Sequence, residues 1–79
     1  MIILVKLSPV IIDRHPGLTT AEPIKVHLPN GADVSDLLQS LDLSKPGEAV
    51  VVMNGKVQQP GRVLNNGNCV TILPVVEGG

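Results

Sequence analysis

The sequence predicts an α+β domain in two layers, with one short helix laid across a mixed sheet of four to five strands. Three observations point there. Short apolar stretches, alternating or continuous and bounded by turn signals, recur along the chain as strands do. A single stretch departs from that pattern and takes a helical period. The 79 residues include no Phe, Tyr or Trp, so the core has to be built from Val, Ile and Leu, which suit a pleated sheet.

Ile2–Leu7 ("IILVKL") reads as the first strand. Ser8–Glu22 follows as a long connection, punctuated by Pro9 and by the Pro16-Gly17 turn signal. "PIKVHL" (Pro23–Leu28) alternates, with Ile24, Val26 and Leu28 on one side and Lys25 and His27 on the other, a half-buried strand. The two strands and the turn between them predict a hairpin. Asp33 is placed to cap a helix from Val34 onward by accepting from the Asp36 amide. Val34, Leu37, Leu38 and Leu41 then repeat at i, i+3, i+4 and i+7, one apolar stripe. Two turns are not stable alone, so this helix has to lie on the sheet.

Pro46-Gly47 ends that region, and "EAVVVMNGKVQ" reads as strand, turn, strand. Asn54-Gly55 supplies the two positive-φ residues of a type I′ hairpin. Gln59–Asn68 is a connector with room for one short helical turn, and its "NNGN" reads as a hairpin turn. "CVTILP" is the last strand, with Val70 and Ile72 on one face and Cys69, Thr71 and Leu73 on the other. The order ββ-α-ββ-β is the β-grasp arrangement. Residues 1–74 form one domain and residues 75–79 a flexible tail.

Composition excludes several functions. A net charge of −1 with interspersed signs gives no basic patch for nucleic acid. "MIILV" is too short for a signal peptide and far too short to span a membrane. One cysteine leaves no internal disulfide framework and fits a reducing cytoplasm. His15, His27 and Cys69 form no HxxxH or CxxC spacing, so no metal site is expected, and Cys69 reads as a small packing residue. Among Asp13, Glu22, Asp33, Asp36, Asp42, Glu48 and Glu77, only Asp33 and Asp36 have a local role, at the helix start. The others read as solvated charges. No glycine-rich loop opens a helix to cradle phosphate. As a self-sufficient enzyme the chain offers almost nothing, and no bound cofactor is expected.

What remains is the ending "ILPVVEGG". Val75, Val76, Glu77, Gly78 and Gly79 extend about 16 Å at ~3.3 Å per residue. The two glycines enter a channel that would reject a Cβ. The Gly79 carboxylate is a poor electrophile until adenylation by a partner and ATP turns its oxygen into a leaving group. Sulfur or an amine then displaces the nucleotide.

Three stretches carry a family resemblance: the strand that begins at the initiator methionine, "GADVSDLLQSL" (Gly31–Leu41), and "LNNGNCVTILPVVEGG" (Leu64–Gly79). Together they resemble the ThiS/MoaD family of sulfur carriers, ubiquitin-like β-grasp proteins ending in Gly-Gly. The resemblance implies that an E1-like enzyme adenylates Gly79, that a sulfur donor (a desulfurase or rhodanese) converts it to a thiocarboxylate, and that Gly78, Glu77, Val76 and Val75 lie in a partner channel. The acceptor is then the molybdopterin-synthase large subunit with its precursor pterin, or thiazole synthase. Pro74, the chain length and the long Ser8–Glu22 connection point to the molybdopterin branch. The alternatives are a thiamin-thiazole carrier, a ubiquitin-like modifier or tRNA-thiolation carrier, and a β-grasp interaction domain without covalent chemistry. Leu73 stands where the branch usually has an aromatic residue. Asn66-Gly67-Asn68 stands where it usually has an acidic turn. Both positions are expected near partner surfaces.

A partner face follows from the residues alone. If Ile3, Val5 and Leu7 face the helix, then Ile2, Leu4 and Lys6 lie on the open side of the sheet. Leu73 and Pro74 join them beside the tail, and exposed aliphatics of that kind mark a protein interface.

Overall fold

The computed structural model describes residues 1–14, 24–45 and 48–75, with Arg14 described by its backbone alone. Seven elements follow in order. They are β1 (Ile2–Leu7), α1 (Pro9–Arg14), β2 (Ile24–His27), α2 (Val34–Ser40), β3 (Ala49–Met53), β4 (Lys56–Gln58) and β5 (Cys69–Pro74). The five strands form one sheet in the order β2-β1-β5-β3-β4. Neighbours run antiparallel except β1 and β5, which are parallel at the centre, with Leu4 opposite Cys69 and Leu7 opposite Ile72. The predicted pairing of the first two strands is present, Ile2 facing His27 and Val5 facing Ile24. This is the β-grasp sheet the pattern predicted, in its five-stranded form.

Alternation decides the core. Ile3, Val5 and Leu7 of β1, Val26 of β2, Val51 and Met53 of β3, and Val70 and Ile72 of β5 are buried on one face. There they meet Val34 and Leu37 of α2. Each large aliphatic side chain withdrawn from water contributes about 1.5–3 kcal/mol, which lets a core without rings hold a small domain together.

The helix α2 is held at both ends. Asp33 accepts from the Asp36 amide at 2.9 Å, and the Asp36 carboxylate accepts from the Asp33 amide at 3.0 Å, a reciprocal capping box. The connector supplies the next partners. Val34 N–H donates to the Arg62 carbonyl and Ser35 N–H to the Pro60 carbonyl, each at 3.0 Å. The first-turn amides that a helix cannot satisfy internally are thus taken up by the connector and the cap. At the other end Leu43 donates to Leu38 and Asp42 to Gln39, with Asp42 at φ 58°. That is a Schellman stop. It gives Asp42, read from sequence as a solvated charge, a structural position.

Three readings are corrected. The Ser8–Glu22 connection opens with a helix: Pro9 occupies its first position, where proline's fixed φ and missing donor cost nothing. Ser8 Oγ accepts from the Val10 amide at 3.3 Å. Ile11, fully buried, ties this helix to the core. In the sequence a proline that starts a helix and one that punctuates a loop look alike, so Pro9 alone does not distinguish them. Second, Gln59–Asn68 contains no helical turn. It runs as turns and an isolated bridge from Asp33 to Val63, with Leu64 buried beneath. Third, Asn65–Asn68 is not a hairpin turn, because β4 and β5 are not neighbours in the sheet. His15, the Pro16-Gly17 signal, Pro23 and the Pro46-Gly47 pair lie outside the described residues.

Candidate functional site

Two features bring the predicted site residues together, the root of the tail and the open face of the sheet. The root is where β5 ends. Pro74 lies opposite Ala49 and Leu73 opposite Val50, so the sheet guides the chain to its rim. Ser8 N–H donates to the Ile72 carbonyl at 3.0 Å, which sets the start of α1 beside the same rim. Val10 (43% exposed) and Leu73 (38%) are apolar side chains left open there. Val75 is half-buried, while Val76, Glu77, Gly78 and Gly79 lie outside the described residues.

The open face spans all five strands. Pairing places Lys25 and His27 of β2 beside Leu4 and Ile2 of β1, and Leu4 and Lys6 beside Cys69 and Thr71 of β5. Thr71 and Leu73 then pair with Val52 and Val50 of β3, and Val52 with Val57 of β4. Ile2 and Leu4 are half-buried, and Val57 is 62% exposed. The face is divided. Its β1–β2 side carries the cations Lys6 and Lys25, and its β3–β4 side is valine. None of the described strand residues is acidic; Asp13, Asp33, Asp36 and Asp42 belong to the helices and the turns beside them. A shallow depression of about 180 Å³ lies where the halves meet, lined by Leu4, Lys6, Cys69, Val70 and Thr71.

Cys69, which reads from the sequence as a small packing residue on the strand face opposite Val70 and Ile72, lies on that face. Its side chain is on the open face and exposed, with Sγ 3.9 Å from the Gly67 carbonyl. Val50, Val52, Val57 and Val10 extend the apolar surface beyond the four residues the sequence singled out. The alternation of "AVVVM" held part of that signal, but choosing which valines face outward needed the register against β5.

The neutral Asn66-Gly67-Asn68 turn serves the backbone. Asn66 Oδ1 accepts from the Ile2 amide at 2.7 Å, and Asn68 Oδ1 accepts from the Asn65 amide at 2.8 Å. Both side chains act purely as acceptors there, which a carboxylate does equally well. Exchange between acidic and amide residues at these positions therefore has a structural basis. Among the described residues no group of three or more His, Cys, Asp or Glu side chains could hold a metal, and no helix is long and apolar enough to cross a membrane.

With this geometry in hand, the ThiS family model matches residues 18–79. The chain belongs to the ThiS family. The match begins after α1 and runs through β5 and the Gly-Gly end. Two solved structures share the fold. The crystal structure of SAMP1 from Haloferax volcanii is similar with a TM-score of 0.71 and 19% identity, over 100% of both chains. That of H. volcanii small archaeal modifier protein 1 has a TM-score of 0.71 and 18% identity, over 95% of this chain and 98% of that one. No curated protein matches the sequence.

Proposed function

We propose that this ThiS-family chain is a sulfur carrier whose reagent is the Gly79 carboxylate. A carboxylate oxygen attacks the α-phosphorus of ATP on an E1-like enzyme, forming an acyl adenylate and releasing pyrophosphate. The outer sulfur of a persulfide on a desulfurase or rhodanese then attacks the carbonyl carbon and AMP leaves; a second thiol attacks the donor sulfur of the resulting acyl disulfide, which leaves the donor as a disulfide and frees the carrier as the thiocarboxylate. The observation that carries this reading is the family match extending through Gly79, joined to a β5 strand that ends at the sheet rim. No catalytic group is asked of the domain itself, which presents the tail.

The open face is the surface for the activating and accepting partners. Ile2, Leu4, Leu73 and Pro74 lie on or beside it, with Val50, Val52 and Val57 continuing the apolar area. Among acceptors the molybdopterin-synthase large subunit is favoured over thiazole synthase by Pro74 and by the long Ser8–Glu22 connection. The test is intact mass spectrometry after incubation with ATP, the cognate E1-like enzyme and a sulfur donor. Replacement of one terminal oxygen by sulfur is the expected product. An unmodified chain with every such enzyme of the same genome overturns the reading. Gly-Gly remnants on lysines of cellular proteins would instead assign the activated glycine to protein modification.

A further inference from the structure

The chain contains three Asn-Gly pairs, Asn30-Gly31, Asn54-Gly55 and Asn66-Gly67. This dipeptide is chemically labile. The glycine amide nitrogen attacks the asparagine side-chain carbon, forming an N–C bond while the C–N bond to the side-chain nitrogen breaks and ammonia departs. Water then opens the resulting succinimide to aspartate or isoaspartate. The reaction needs a glycine amide and an asparagine side chain that are both free to move together, and a glycine, lacking Cβ, does not obstruct the approach.

Two of the three pairs sit in the same kind of turn. Ala32 N–H donates to the Pro29 carbonyl with Gly31 at φ +90°, and Asn68 N–H donates to the Asn65 carbonyl with Gly67 at φ +85°. Neither Asn30 nor Asn66 has a positive φ among the described residues, so both are type II turns with Asn-Gly at the centre. Their tertiary surroundings differ completely. In the second turn both reacting groups are held by one residue: Asn66 Oδ1 accepts from the Ile2 amide at 2.7 Å, and Gly67 N–H donates to the Ile2 carbonyl at 2.8 Å. In the first, Asn30 and Gly31 are exposed, and neither the Gly31 amide nor the Asn30 side chain has a hydrogen-bond partner among the described residues. The third pair forms the hairpin tip, with Asn54 at φ 55° rather than in a type II turn; Asn54 and Gly55 are exposed, and this pair is an unprotected one like the first.

We propose that, of the two type II turns, the one at Asn30 is the site of spontaneous conversion to aspartate and isoaspartate in the folded chain, and that Ile2 protects Asn66 through its two backbone hydrogen bonds. Each conversion adds one negative charge. All three turns lie at the end of the sheet away from the tail: β2 and β3 finish there and β5 begins there, whereas the tail leaves at the end of β5. The modified turn is thus distant from the rim that presents the tail, and a converted chain keeps its tail chemistry.

The test is peptide mapping by mass spectrometry of the full folded chain, aged at mildly alkaline pH, beside the same chain aged in urea. In the folded chain Asn30 converts at a rate close to its urea rate. Asn66 converts roughly tenfold or more slowly than in urea, because two hydrogen bonds have to open first. Equal rates for Asn30 and Asn66 in the folded chain overturn the proposal, as does an Asn66 rate unaffected by urea. An Asn30→Gln variant reduces the charge drift on ageing by the share mapped to Asn30, leaving that of the exposed Asn54-Gly55 pair, and a drift that does not fall in that variant rejects the assignment.

Discussion

The two faces of the sheet are made from the same residues and have opposite fates. Val51 of β3 is 1% exposed, paired with Ile72 across the sheet and part of the buried core. Its neighbours Val50 and Val52 point the other way and are only half-buried, and Val57, opposite Val52, is 62% exposed. Four valines within eight positions therefore divide between core and surface according to strand parity alone. An aliphatic residue in a strand is not evidence of a core position until its register is known. On the open face such residues form a patch fit for a partner, where on the covered face they hold the domain together.

The comparison breaks first at Leu37. This α2 side chain is fully buried against the covered face, so Leu37→Ala removes about 2–5 kcal/mol and lowers the melting temperature by roughly 10 °C or more. Thermal unfolding followed by circular dichroism measures it. A loss as small as that of an exposed valine would mean the covered face has been misassigned.

The open face gives the complementary outcome. Val52→Ser and Leu73→Ser shift stability by no more than about 1 kcal/mol, yet weaken binding to the E1-like partner by about tenfold or more. Calorimetric titration beside urea unfolding separates the two effects. Unchanged affinity in both variants would remove this face from the proposed interface.

Smaller effects sharpen the covered side. Asp33→Ala deletes the capping box and costs about 1 kcal/mol. Because the Arg62 and Pro60 carbonyls bond the same helix end, amide exchange should also rise at Val34 and Ser35. Exchange unchanged at those two amides would argue that the connector holds the helix without the cap. Smallest is Asp42→Gly. Asp42 sits at φ 58° in the helix stop, where glycine adopts the conformation freely, so the variant gains up to about 1 kcal/mol. A loss of stability would show that the Asp42 side chain contributes something beyond its backbone position.

Much of this was legible in the residues because local rules and tertiary packing agree. Strand β1 has the bounds the apolar run predicts, the Asn54-Gly55 hairpin has its positive φ values, and the Asp33 cap accepts from Asp36 as expected. What escaped was ambiguous locally. Ser8-Pro9 starts a helix, though proline also breaks one. Asp42 ends a helix without the usual glycine.

Periodicity, turn chemistry and the terminal Gly-Gly are written in short stretches, so the chain alone determined the five strands, the α2 helix, the fold class and the family to which it belongs. Which neighbours each strand takes is a property of residues far apart in sequence. The parallel pairing of β1 with β5, the docking of Asn66 on Ile2, and the division of the open face into cationic and valine halves came only with the tertiary structure. Contacts across more than 60 positions, such as Ile2 to Asn66, leave no periodic trace in either segment.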